Sequence, residues 1–141
     1  TPAGGCLLTD KNFAEKLRDS FRDHKTITPR DVQLLTVGRH FKFDDGVRIV
    51  LGRNNGENHI LLSLAPHGYH LFMPHGFPGP VALLSGTPDP VVKQAIARLI
   101  ITYSKQLPGQ IRRIAFGSEI FDPGDPLPIH SMGLKKIGAE H

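Results

Sequence analysis

Cys6 is the residue in this sequence with the strongest intrinsic reactivity. It is the only cysteine among 141 residues, which excludes an internal disulfide and an all-cysteine metal site. A thiolate is a nucleophile and a metal ligand, but a lone cysteine is more often an inert small apolar residue. Gly4 and Gly5 precede it and favour an open loop, so both interpretations stay open.

Three histidines have a spacing that resembles a metal site, namely His67, His70 and His75. Zinc takes imidazole ligands, but no acid or cysteine lies nearby in the sequence to complete four ligands. We therefore expect histidines dispersed over loops and no metal site. The chain contains no P-loop, Rossmann glycine motif, nucleophile elbow or H-E-x-x-H sequence.

Basic residues are concentrated in one part of the chain. The net charge is +4, and no acid occurs between Asp89 and Glu119. Such a stretch is either a solvated face or a surface that faces phosphates. Its cations are Lys93, Arg98, Lys105, Arg112 and Arg113.

The segment Gly52 to Asn58 could bind a phosphate or a base edge. Arg53 offers a guanidinium fork, Asn54 and Asn58 offer amides, and the glycines leave backbone N–H groups accessible. In the alternative interpretation, the two asparagines only cap turns and the next helix.

The elements that must position these residues follow from periodicity and turn residues. Thr9 and Asp10 begin a helix whose apolar face is Phe13, Leu17 and Phe21, and Thr28-Pro29 begins a second helix that ends near Leu35. A third short helix is predicted from Glu57 to Leu64. The longest is predicted from Asp89-Pro90 to about Lys105, with Tyr103 in its buried stripe.

Alternating apolar residues predict strands on either side of the turn Asp44-Asp45-Gly46. Further strands are predicted at Tyr69–Met73, Val81–Leu84 and finally Ile111–Phe116, with an irregular Pro74–Pro80 loop. The sum is an α+β domain, with a small, mostly antiparallel sheet, one long helix and two or three short ones. No apolar run reaches the roughly 20 residues of a membrane helix.

Three of these segments together resemble one family. They are G-R-N-x-x-E-N at Gly52 to Asn58, His70–Met73 with Phe77–Val81, and the helix Ala95–Lys105. Their order and spacing resemble the NFACT-R domain, the RNA-binding module of NFACT proteins, in a variant fused to tRNA sulfurtransferases. The segment Pro2–Asp10 resembles the exit from the PP-loop domain of tRNA thiouridine synthases.

The resemblance implies three regions: an exit segment of an upstream PP-loop domain (1–10), an RNA-binding domain (11–117) and a Pro/Gly-rich tail (118–141). Two departures are visible, because Leu71-Phe72-Met73 and Pro80-Val81 stand where the family carries histidines. His75 stands where the family often has arginine. The expected RNA contacts are Arg53, Asn54, Asn58, His75, Lys93, Arg98, Arg112 and Arg113.

The resemblance therefore implies a tRNA-binding domain of a cytoplasmic thiouridine-forming enzyme. No cofactor is expected in this chain, whereas the parent would use ATP and could hold an iron–sulfur cluster. Cys6 would be catalytic only together with the upstream domain. Expected partners are tRNA, that PP-loop domain and a sulfur-donor protein, with no DNA or membrane. The alternatives are a docking module for a sulfur donor or homodimer partner, and a small-molecule enzyme built on the histidine loop.

Overall fold

The fold is a seven-stranded antiparallel sheet with helices packed on both faces. A computed structural model of the chain describes residues 14–19, 28–105 and 109–137. The strand order is β6-β5-β3-β4-β2-β1-β7. This confirms the predicted α+β class. The strands are β1 Arg39–Phe43, β2 Arg48–Leu51, β3 His70–His75, β4 Ala82–Ser85, β5 Arg113–Phe116, β6 Glu119–Phe121 and β7 Leu134–Ile137.

Four helices accompany the sheet in the described residues. The described part of α1 is 14–19; α2 is Pro29–Leu35, α3 Asn55–Leu64 and α4 Pro90–Thr102, and 3₁₀ turns lie at Ala65–His67 and Ile129–Met132. The predicted start of the first helix at Thr9 and Asp10 lies outside the described residues. No helix among the described residues is both long and apolar enough to cross a membrane.

Local capping decides where the helices begin. Thr28 and Asp31 form a capping box, in which the Asp31 N–H donates to Thr28 Oγ1 at 3.1 Å and the Thr28 N–H donates to Asp31 Oδ2 at 2.8 Å. This confirms the predicted start of α2. Helix α3 begins two residues earlier than predicted, because its N-cap is Asn54. Helix α4 begins after Asp89 as predicted but ends at Thr102.

Alternation along the strands divides the apolar residues between the two sheet faces. On one face Ile49, Leu51, Ala82 and Leu84 pack with the buried side of α4. On the other face Val50 and Leu83 pack with side chains from α2 and α3, namely Leu34, Leu61 and Leu64. Both faces of the central strands are thus covered, so the start of α3 and the end of α4 can meet only past the ends of these strands, beside the start of β1, the end of β2 and the start of β4.

His40 is buried in β1 on the face opposite Phe41. Its Nε2 lies 3.1 Å from the Leu34 carbonyl oxygen and 2.9 Å from that of Val37. Burial, reinforced by the nearby Lys16 charge, lowers the pKa of His40 to about 3. His40 is therefore a neutral donor that ties β1 to the end of α2.

Long-range pairing corrects three of the sequence predictions. Strand β3 continues through Pro74 to His75, where it pairs with β5, so the irregular loop begins later than expected. Strand β5 begins only at Arg113. Residues 119–137 are not a tail, since β6 pairs with β5 and β7 pairs with β1. Because β1 and β7 are distant in the sequence, their pairing leaves little local signal in strands this short, whereas β5 and β6 form a hairpin across Gly117 and Ser118.

Candidate nucleic-acid interface

A cleft of about 300 Å³ lies where three separate segments of the chain converge. One wall is the start of α3, a second is the Pro78–Pro80 loop, and the third is the residues just after α4, with Arg39 of β1 beside them. These walls come from the same three segments that carried the resemblance in the sequence. The lining residues are Arg39, Gly52, Arg53, Asn54, Asn55, Asn58, Pro78, Gly79, Pro80, Tyr103, Ser104 and Lys105.

The first turn of α3 is held by two side chains. Asn54 caps the helix, with its Oδ1 accepting from the Glu57 N–H at 2.9 Å. Arg53 forks onto Glu57, with Nε 2.9 Å from Oε1 and a terminal guanidinium nitrogen 2.6 Å from Oε2. Chiefly through this contact, the Arg53 guanidinium lowers the pKa of Glu57 to about 2. The fork therefore fixes the orientation of Arg53 at the rim of the cleft.

Asn58 joins α3 to the proline-rich wall. Its Oδ1 accepts from the Val81 N–H at 3.2 Å, although the two residues are 23 positions apart. A Cβ at Gly52 would lie 2.0 Å from this Oδ1, so only glycine leaves room for it. The prediction that the asparagines are caps is confirmed for Asn54 and is wrong for Asn58, whose bond is tertiary.

The wall after α4 presents an aromatic ring and two cations. The Arg39 guanidinium lies over the Tyr103 ring at 4.5 Å, and the Phe41 ring is 6.1 Å away from that of Tyr103. Tyr103 is half-buried, not part of the fully buried stripe. Lys105 adds a second charge. None of the described residues that line the cleft is acidic. Because the charge of Arg53 is balanced by Glu57 just outside the lining, Arg39 and Lys105 give the cleft its net positive charge.

Arg39 and Tyr103 were not predicted as site residues, and Lys105 was named only as a cation of the acid-free stretch, not as an RNA contact. Arg39 gave one usable signal, since it alternates with Phe41 and Phe43 and so shares their face of β1. A cation in such a position often pairs with an aromatic ring.

The expected basic surface along α4 does not form in the way the sequence suggested. Lys93 donates to Glu119 at 2.7 Å and lies 5.6 Å from the centroid of the Phe116 ring. Arg98 packs beside Gly124, where an added Cβ would be 3.3 Å from its guanidinium. The acid-free stretch therefore faces the segment that follows it. Lys93 and Arg98 are partly covered by this segment.

The other predicted contacts lie in different places. His75 and Arg113 line a second cavity of about 520 Å³, and Arg113 is also 3.6 Å from Asp122. Arg112 lines neither of these two cavities. Cys6 lies outside the described residues. Of the predicted RNA contacts, the cleft thus brings together only Arg53, Asn54 and Asn58.

The histidines are also dispersed. His70 contacts the edge of the Phe116 ring, with centroids 5.9 Å apart, whereas His75 lies at the second cavity. Within the described parts of the chain, no group of three or more potential ligands is arranged to hold a metal ion.

Comparison of the sequence with known protein families identifies the part of the chain that carries this cleft as an RNA-binding domain. The family described as the NFACT protein RNA binding domain matches residues 38–120, more than half of the 141 residues. The chain therefore belongs to the NFACT protein RNA-binding domain family. All residues that line the cleft fall within the match. Among curated proteins, no match to the chain was found.

Proposed function

We propose that this chain is the tRNA-binding domain of an ATP-dependent thiouridine-forming enzyme. RNA binding follows from the family to which the chain belongs. The choice of tRNA and the enzymatic context are supported by the resemblance of Pro2–Asp10 to the exit from a PP-loop domain. In this arrangement the domain holds tRNA in the cytoplasm while the PP-loop domain modifies a uridine.

The observation that carries the RNA-binding part is the composition of the cleft. Arg39 and Lys105 supply net positive charge, and none of the described lining residues is a carboxylate. Arg53 is paired with Glu57 and adds a guanidinium of fixed orientation. Such a site attracts a polyanion and provides hydrogen-bond donors for its phosphate oxygens. The Arg39 guanidinium is likewise held in place, over the Tyr103 ring.

The proposed chemistry belongs to the whole enzyme. The PP-loop domain would transfer AMP from ATP to the uridine oxygen and release pyrophosphate. In one version Cys6 would receive the outer sulfur of a donor persulfide, and this Cys6 persulfide would displace AMP from the uridine to give a Cys6–S–S–uridine bond. A second cysteine, supplied by the PP-loop domain, would then attack the Cys6 sulfur, release the thiouridine and leave a disulfide that a cellular thiol reduces. In the other version Cys6 would ligate a cluster together with cysteines of the PP-loop domain.

Thiolation by the full-length enzyme tests this context. We expect Cys6→Ser to abolish formation of thiouridine in tRNA, measured by mass spectrometry of digested nucleosides, and to leave tRNA binding unchanged. Ser63→Ala is a matched control, since this exposed side chain donates to the Ile60 carbonyl, lies outside the cleft lining and carries no sulfur chemistry. Full thiolation by Cys6→Ser would assign Cys6 an inert role. Absence of thiouridine with the unmodified enzyme would overturn the proposed function.

A further inference from the structure

The hydrogen-bonding groups of the cleft are biased toward donors. Asn54 and Asn58 use their Oδ1 atoms to accept from the backbone N–H groups of Glu57 and Val81. Each Oδ1 thus has one of its two lone pairs occupied, whereas each Nδ2 amide remains as a group that only donates. The cations Arg39, Arg53 and Lys105 are donors as well. A complementary ligand is anionic and rich in hydrogen-bond acceptors. A nucleotide, with its phosphate and base, has both properties.

The cleft also offers a surface for a planar group. The Arg39 guanidinium and the Tyr103 ring lie 4.5 Å apart at one wall. Unpaired RNA bases stack on aromatic rings and on guanidinium planes, and this stacking does not depend on base identity. Bases within a helix are already stacked on one another, so this wall is useful only to a base that has left the helix.

The dimensions of the cleft limit what can enter it. A volume of about 300 Å³ lies at the lower end of the range for ligand pockets and suits one nucleotide, not a duplex. Its walls are already close together without a ligand. A Cβ at Gly52 would collide with Asn58, and one at Gly79 would lie 3.1 Å from the Ser104 Cβ. Such pre-formed walls lower the entropy cost of binding.

We propose that this cleft binds a single unpaired nucleotide of RNA. Its base lies against Tyr103 and Arg39, and its phosphate lies near Arg53 and Lys105. This inference rests on the proposed function, namely RNA binding by this domain, and specifies which part of the RNA the cleft accepts. The domain thereby takes hold of a loop or a single-stranded end, while paired regions contact the protein only through general charge.

Two matched substitutions separate the cleft from the rest of the surface. Asn55→Glu introduces a negative charge at the first residue of α3, within the cleft lining. Val91→Glu introduces the same charge at the second residue of α4, on an exposed position. An acid in the first turn of a helix is favourable for the fold in both cases. Val91 is separated from Tyr103 by twelve helical steps, about 18 Å and beyond the screening length at physiological salt.

Fluorescence anisotropy with the 141-residue chain provides the test. The probes are a labelled oligouridine of about eight nucleotides, a blunt RNA duplex of the same length, and tRNA. We expect the single strand to bind about tenfold more tightly than the duplex and to compete with tRNA. We expect Asn55→Glu to weaken binding of the single strand about fivefold, and Val91→Glu to weaken it less than about twofold.

The outcomes separate the two proposals. If tRNA binds but the duplex binds as tightly as the single strand, the unpaired-nucleotide proposal is overturned and RNA binding stands. The same holds if the two glutamate variants lose affinity equally. If tRNA itself does not bind at low ionic strength, both proposals fall. Thermal melts of the two variants confirm that each remains folded.

Discussion

Asn58 shows how a residue that the sequence predicts as an RNA contact can serve the fold first. Its Oδ1 receives the Val81 N–H, and Gly52 lacks a side chain in the space where this oxygen lies. Val81 is buried, so no solvent would replace a lost partner of its N–H. Two neighbouring residues also make contacts within the fold. Asn54 accepts from the Glu57 backbone N–H, and Arg53 donates to the Glu57 carboxylate. Part of the motif therefore builds the cleft walls.

The first prediction concerns the stability contribution of Asn58. Asn58→Ala leaves the buried Val81 N–H without its partner, so we expect the free energy of unfolding to fall by about 1–3 kcal/mol. His59→Ala is the matched control, because His59 is exposed on the same helix and its loss should cost less than about 0.5 kcal/mol. Denaturant unfolding measures both. An Asn58→Ala variant as stable as the control would show that the tie to Val81 contributes nothing.

At the scale of elements, the starts of α2 and α4 and the first hairpin could be predicted because their signals are local. Thr28 with Asp31 defines the start of α2, and the turn after Phe43 joins β1 to β2. Strand β7 could not be predicted, since its pairing partner β1 lies far away in the sequence. Strand β6 is separated from its partner β5 only by Gly117 and Ser118, a local hairpin signal that the sequence analysis missed. Leu134-Lys135-Lys136-Ile137 has no clear alternation, and only pairing with β1 explains why both of its apolar ends are buried.

The role of β7 leads to a prediction about stability. Leu134 is buried against the core that contains Phe41, although it belongs to a segment that looks like a tail. Leu134→Ala should lower the free energy of unfolding by about 2–4 kcal/mol. Leu127→Ala provides a control, because Leu127 is 36% exposed and should cost clearly less. Equal and small effects on denaturant unfolding would mean that β7 adds no stability to the sheet.

For the molecule as a whole, the sequence indicated the three segments that line the cleft, but it did not show where in the fold they come together. The fold brings them together because α3 packs on one sheet face and α4 on the other, and the start of α3 and the end of α4 both lie past the same ends of the central strands. The sequence analysis placed Lys93 and Arg98 among the expected RNA contacts, because both lie in the acid-free stretch. In the fold, the later segment 119–124 partly covers them. Arg39 was missed because its proximity to Tyr103 depends on contact between residues 64 positions apart.

The same arrangement decides which lysine should matter for RNA. Lys105 lines the cleft, whereas Lys93 is paired with Glu119 on the partly covered face. Lys105→Gln and Lys93→Gln form a matched pair, because each substitution removes one positive charge. A lysine that neutralises a phosphate contributes about one unit to the salt dependence of binding, and one that does not contributes little.

The most direct test of RNA binding through the cleft is a titration of tRNA across a range of salt concentrations, with the unmodified chain and these two variants. We predict that affinity falls steeply as salt rises, that Lys105→Gln weakens binding and lowers the salt slope by about one, and that Lys93→Gln changes neither. No binding at low salt would contradict RNA binding altogether. Loss of affinity in Lys93→Gln with Lys105→Gln unaffected would contradict the cleft and identify α4 as the binding face.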